Sequence, residues 1–134
     1  PIAIKAAGDG EVVFDGDGSL LMNLGSLVTI ANAAPKNYIH CLCENGTYET
    51  NGSVPIPRAG QIRFVDLAKA AGYPKTYEFS NLWDWDYELD NILKEDGPIF
   101  VDLKVEPGEA YPEDFRRLYS IEYRDKFRET LKKS

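Results

Sequence analysis

FDGDGSLLMN, residues 14–23, sets an aspartate between two glycines at the point where a β-rich run gives way to a leucine-rich one. Before it, EVVF (residues 11–14) is a short β-branched and aromatic run, read as a buried strand. Asp15-Gly16-Asp17-Gly18 is a turn signal. After it, Ser19 stands where a helix cap is wanted. Leu20, Leu24, Leu27 and Ala31 then recur at helical spacing, with Leu21 and Val28 beside them. The expectation is a strand, a tight turn and one helix that Pro35 ends.

Outward from there the same alternation continues. NYIHCLC (37–43) reads as a second buried strand, followed by a polar loop of 17 residues, ENGTYETNGSVPIPRAG (44–60). Loops of that length in compact domains are usually functional or disordered. RFVDLAKAA (63–71) predicts a helix closed by Gly72 and Pro74, and residues 76–79 a short strand. Residues 82–94 predict an amphipathic helix with Leu82, Trp85, Leu89, Ile92 and Leu93 inward. Gly97-Pro98 breaks it, and PIFVDLKV (98–105) is a strand nearly continuous in apolar residues. Residues 112–134 read as a charged helical tail, docking on a partner through Phe115, Leu118, Tyr119, Tyr123 and Phe127. Strands alternating with helices give an α/β fold, a parallel sheet flanked by helices. The 134 residues suffice for one domain core and not for two.

In such sheets ligands bind beyond the carboxyl ends of the strands. Gly16-Asp17-Gly18 and Glu44-Asn45-Gly46 both sit at such ends, side by side if the crossover is short. An Asp17 carboxylate and an Asn45 carbonyl are oxygen donors that suit Mg²⁺, which commonly shares its shell with phosphates. Gly16 and Gly18 let a backbone approach a diphosphate, and the amides at Gly18 and Ser19 open a helix start that attracts anions. Other phosphate and metal motifs fail on single residues. A dinucleotide fingerprint wants glycine where Leu21 stands, a Walker loop wants a following lysine, and an EF-hand loop from Asp15 wants glycine and glutamate where Leu20 and Ser26 stand. GDG alone also leaves open a tight turn with no ligand.

Composition narrows the setting. A net charge of −7 argues against a nucleic-acid partner, which needs a basic face. No apolar run approaches the roughly 20 residues of a membrane span. No secretory signal is visible, so a cytoplasmic location is the expectation. Cys41 and Cys43 lie too near each other to staple the chain, and no second Cys/His pair completes a zinc site, so both are expected as reduced thiols. His40, the only histidine, is expected as a core or sheet-face residue rather than a catalyst. The chain opens at Pro1, and PIAIKAAGDG reads like a helix tail running into a loop. A processed product, or a chain whose front is not included, is therefore expected, lacking its domain's first helix and strand.

The two turns taken together are more specific than either. Gly16-Asp17-Gly18-Ser19, then Glu44-Asn45 with 26 residues between Gly18 and Asn45, resembles the thiamine diphosphate motif. GDGSLLMNLGSLVTIAN (16–32) followed by NYIHCLCENGTYETNG (37–52) is similar to phosphonopyruvate and sulfopyruvate decarboxylases, in their C-terminal, diphosphate-binding domain. The resemblance covers residues 11–105. It implies that Asp17, the side-chain oxygen of Asn45 and the backbone carbonyl of Thr47 bind Mg²⁺. It implies that Gly18 and Ser19 contact the diphosphate and that Gly16 shapes the turn; Tyr48 and Glu49 lie in the cofactor loop, either lining its substrate side or simply exposed.

The activity implied is thiamine diphosphate- and Mg²⁺-dependent decarboxylation of a small 2-oxo acid with an anionic substituent. In that family a glutamate on a separate pyrimidine-binding domain drives proton loss from the cofactor. Such a glutamate would come from a partner polypeptide, in a hetero-oligomer, or from sequence absent here, the chain then being a fragment inactive by itself. One departure stands out. Relatives commonly carry a Gly-Gln pair before proline, where this chain reads Gly52-Ser53-Val54-Pro55, and Val54 cannot make a glutamine's hydrogen bonds. That leaves the substrate open. An acetolactate synthase-like or 2-oxoacid oxidoreductase member shares the cofactor motif, and a non-catalytic ligand-binding or interaction module is the alternative outside enzymes. Around the site, Glu44 is either a support behind Asn45 or a solvated strand end. Arg58 and Arg63 are surface residues or neutralise a substrate tail, and Trp83, Trp85 and Tyr87 are packing or interface anchors.

Overall fold

The computed structural model describes residues 11–108, 116 and 119–131. Four parallel strands form the sheet: β1 (Glu11–Gly16), β2 (Tyr38–Glu44), β5 (Lys75–Phe79) and β6 (Ile99–Lys104), in the order β1-β2-β6-β5. A two-stranded antiparallel piece, β3 (Thr47–Tyr48) with β4 (Val54–Pro55), stands outside it. The helices are α1 (Asp17–Met22), α2 (Gly25–Ala33), α3 (Phe64–Ala71), α4 (Leu82–Ile92) and α5 (Ile121–Leu131).

The central strands are mostly apolar because helices cover both faces, as in other parallel sheets. From β2, Tyr38 and Leu42 point into one core with Leu20, Leu27, Ile30, Phe64, Ala68 and Phe100. Ile39 and Cys41 point into the other with Ile92, Ile99 and Val101, and Trp85 packs against it from α4. Cys41 and Cys43 are free, and burial pushes the Cys41 thiol up to about 12, so it behaves as a small apolar residue.

Three expectations need correction. Residues 11–14 are not wholly buried: β1 is the sheet's edge among the described residues, so Val13 packs inward while Val12 and Phe14 are 47% and 65% exposed. The expected single helix after the turn is two. Asn23 leaves helical geometry at φ −147°, ψ 63°, and turn bonds from Asn23 to Leu20, Ser26 to Asn23 and Leu27 to Leu24 bridge the break. Asparagine competes with helix through local turns, and the break swings Leu24 to the surface while Leu27 stays buried. Ser19 is not the cap. Helix α1 starts two residues earlier, with Gly16 in extended geometry at the N-cap, and Ser19 is an exposed residue inside the first turn.

Helix α4 starts on an Asn81 cap whose side chain accepts from the Asp84 amide at 2.9 Å. Its inward stripe is Trp85, Leu89 and Ile92, with the Trp85 ring 5.4 Å from that of Phe79. Leu82 and Leu93, expected inward, are exposed because they flank the stretch that meets the sheet; Trp83 and Tyr87 are exposed too and do not pack. In the tail, Tyr119, Tyr123 and Phe127 are exposed; Phe115 and Leu118 lie outside the described residues, as do residues 1–10.

The start of β6 is set by a close approach. The Gly97 amide donates to the Lys36 carbonyl at 2.6 Å, and a Cβ there would sit 2.5 Å from the Tyr38 carbonyl oxygen and 3.1 Å from that of Pro35. Those neighbours are backbone and cannot swing away. Gly97→Ala is expected to cost about 1–3 kcal/mol of stability, read as a lower denaturation midpoint; an unchanged midpoint would mean that the two segments separate freely.

Candidate functional site

Strands β1 and β2 run parallel in register, Gly16 opposite Cys43, so the turns that follow them leave the same edge of the sheet. One side chain ties the turns together. Asp17 is 1% exposed; its Oδ1 accepts from the Gly18 amide and its Oδ2 from the Gly46 amide, each at 2.7 Å. Burial raises its carboxyl above the usual range, and the two amides pull the other way. Asn45 lies next to that bridge. Its Oδ1 accepts from the Thr47 amide at 2.9 Å and from the Thr47 hydroxyl at 3.0 Å, while its Nδ2 donates to Glu49 Oε2 at 2.9 Å.

The long loop is ordered for reasons its composition hides. The Thr47–Tyr48 and Val54–Pro55 pairing folds it into a tight hairpin around a 3-10 turn, Glu49–Asn51. Ile56 then donates its amide to the Gly46 carbonyl at 3.0 Å and drives its side chain into the first core. The hairpin brings Tyr48 against Gly18, where a Cβ would lie 2.5 Å from the ring. A cleft of about 420 Å³ opens between the two turns. Gly16, Asp17, Gly18, Ser19, Asn45, Thr47 and Tyr48 all line it, and so do Met22 and Glu49. Arg58 and Arg63 do not; Arg63 lies on the surface 3.4 Å from Asp66.

The donors are hard oxygens: a carboxylate, a side-chain amide oxygen and backbone carbonyls. Among the described residues no three His, Cys, Asp or Glu side chains gather as a metal cage. The set therefore suits a hard cation that brings oxygens of its own, as Mg²⁺ does with a phosphate. Gly18 carries no Cβ, which is what lets the Tyr48 ring close against the first turn.

Two buried polar clusters stand behind the turns. His40 is fully buried, its Nδ1 3.3 Å from the Tyr73 hydroxyl and its Nε2 3.5 Å from Asp15 Oδ2, so it is a core residue as expected. Burial opposes ionisation of Asp15, but bonds from His40 and Ser19 outweigh it and hold the carboxyl below the usual range. On β6, the Lys104 ammonium bonds Glu44 and Asp102 and lies 3.4 Å from Glu78. Glu44 is thus not a solvated strand end. One cation cannot offset three carboxylates, and the deepest of them is the hardest to ionise. Burial pushes Asp102 up to about 7, although Lys104 pulls it down. Burial also works against the charge on Lys104, yet Asp102 and Glu44 hold the ammonium well above its ordinary range.

The pH dependence follows from Asp102. Its folded value lies above the unfolded one, so the stability it contributes is whole below its ordinary 3.8 and is lost as pH rises through about 7. Between about pH 5 and pH 8 the thermal midpoint of the wild-type chain is expected to fall further than that of Asp102→Asn. Equal falls would mean that Asp102 is ionised throughout.

Comparison with known proteins bears on the same residues. Residues 2–103 match the family described as "Thiamine pyrophosphate enzyme, C-terminal TPP binding domain". The chain is 37% identical over 97 residues to the phosphonopyruvate decarboxylase of Streptomyces hygroscopicus, covering 72% of this chain and 24% of that protein. It is 38% identical over 100 residues to the sulfopyruvate decarboxylase subunit beta of Methanothermobacter thermautotrophicus, covering 74% of this chain and 50% of that one. The matched part spans between about a quarter and a half of these relatives' length. Among the described residues no helix is long and apolar enough to cross a membrane. With its parallel sheet and a family match over most of its length, the chain belongs to the C-terminal, thiamine diphosphate-binding domain family of thiamine pyrophosphate enzymes.

Proposed function

We propose that this chain is the diphosphate-binding part of a thiamine diphosphate- and Mg²⁺-dependent decarboxylase of a small, anionic 2-oxo acid, phosphonopyruvate- or sulfopyruvate-like. It works in a hetero-oligomer with a pyrimidine-binding subunit that contributes the catalytic glutamate. The observation that carries this reading is the Asp17 carboxylate shared between the amides of Gly18 and Gly46, which sets the two motif turns side by side. The names of the relatives support the substrate class, and "subunit beta" supports a partner. Two free cysteines suit a reducing compartment, which supports a cytoplasmic location.

In this reading Asp17, Asn45 Oδ1 and the Thr47 carbonyl hold Mg²⁺. Each Asp17 oxygen accepts one amide bond and keeps a lone pair for the ion. Asn45 Oδ1 already accepts two bonds, and the Thr47 hydroxyl is the one that yields, because it is a free rotor while the amide is fixed in the hairpin. The ion also supplies the charge that a buried Asp17 carboxylate lacks. The backbone at Gly18 and Ser19 contacts the diphosphate, the Gly18 amide itself being held by Asp17 Oδ1. Tyr48 closes the cleft on the hairpin side and keeps water from the bound groups. Thiamine diphosphate itself supplies the electron sink for the bond to CO₂ that breaks. The chain's own share is binding, orientation and electrostatics.

Calorimetric titration tests this directly. The chain together with its pyrimidine-binding subunit is expected to bind thiamine diphosphate in the presence of Mg²⁺, and Asp17→Ala to abolish the Mg²⁺-dependent part. Gly18→Ala, which pushes Tyr48 aside, is expected to weaken cofactor affinity by about tenfold or more. The reconstituted complex should release CO₂ from phosphonopyruvate or sulfopyruvate. Acyloin or reduced acceptor as the product would move the chain to another branch of the superfamily, and Mg²⁺-dependent binding that survives Asp17→Ala would overturn the site.

A further inference from the structure

A side-chain amide has two ends of nearly equal shape, and only the oxygen can serve a cation. Something must decide which end of Asn45 faces the cleft. The Thr47 hydroxyl cannot decide, since it both donates and accepts. The Thr47 amide favours the oxygen at 2.9 Å but bonds one atom only. The opposite end meets Glu49 Oε2 at 2.9 Å. An ionised carboxylate only accepts, so a flipped Asn45 would set two acceptor oxygens against each other. Glu49 in turn is held: its Oε1 accepts from the Gly108 amide at 2.7 Å, on the segment that leaves β6, 59 residues away in sequence.

We propose that Glu49 is a positioning residue, a polarity lock that holds the Asn45 amide with its oxygen toward the metal position and its NH₂ away from it. The lock rests on the reading that Asn45 Oδ1 is a metal ligand. Glu49 acts through Asn45 and takes no place on the ion. Its grip on Gly108 makes the lock part of the sheet's exit rather than a feature of the hairpin alone.

Two measurements on the full chain separate this inference from the reading beneath it. In the chain without ligands, the Asn45 side-chain NH₂ signals, assigned by their loss in Asn45→Asp, report the bond to Glu49. Glu49→Ala is expected to shift them and speed their exchange, whereas Glu49→Gln, whose amide oxygen still accepts, keeps them near wild type. With thiamine diphosphate and the pyrimidine-binding subunit present, Glu49→Ala is expected to weaken Mg²⁺ binding by about tenfold. Glu49→Gln should stay closer to wild type than to Glu49→Ala. Thermal melting checks that each variant folds; if Glu49→Ala does not, Glu49→Met fills the same space without the carboxylate. Unmoved NH₂ signals would overturn the lock. Equal loss of Mg²⁺ binding in Glu49→Gln and Glu49→Ala would overturn it too, by showing that charge on the ion is what Glu49 supplies. A wild-type complex that binds no Mg²⁺ would sink the site assignment, and the NH₂ signals would still decide the orientation of Asn45.

Discussion

The Asp17 carboxylate, held between the amides of Gly18 and Gly46, is the interaction on which the rest of the site depends. It joins the start of α1 to the end of β2, two segments 29 residues apart in sequence. The bridge costs something: a carboxylate almost wholly removed from water is expensive to ionise, and two amide donors offset only part of that. A site poised in this way favours a bound cation, which lowers the cost of the charge.

Behind the bridge, two clusters of buried and half-buried polar groups tie the strands together. Asp15, His40 and Tyr73 link β1 and β2 to the end of α3, while Lys104 gathers acids from β2, β5 and β6. Both clusters lie within a few residues of the motif turns. Replacing them by apolar side chains would relieve the desolvation cost but loosen the strand ends, so their worth is in fixing position more than in raw stability.

Much of this was legible in the sequence because the decisive signals are local. The apolar runs of β2 and β6, the stop at Gly72 and the glycine-flanked Asp17 each announce an element within a few residues. What was not legible depends on partners far along the chain. Val12 and Phe14 read as buried because nothing in their own neighbourhood says that β1, among the described residues, has a neighbour on one side only. The leucine spacing of residues 20–31 is the same for one helix as for two, and Asn23 is the sole local hint of the break. Strands of two residues are too short to carry a period, so the hairpin in the long loop left no pattern. In the cleft, the motifs already named Gly16 to Ser19, Asn45, Thr47, Tyr48 and Glu49, whereas the hold of Glu49 on Gly108 and of Lys104 on Glu44 joins residues 59 and 60 apart in sequence.

Ile56 has a consequence for how the protein responds to stress. It is the one fully buried side chain in the stretch between Gly46 and Gln61, and it shares its contacts with Leu20 and Phe64. The loop is therefore not an independent flap but a member of the same cooperative unit as the interior. Loss of the interior and loss of the loop therefore come together, and anything that held the loop would brace the interior as well.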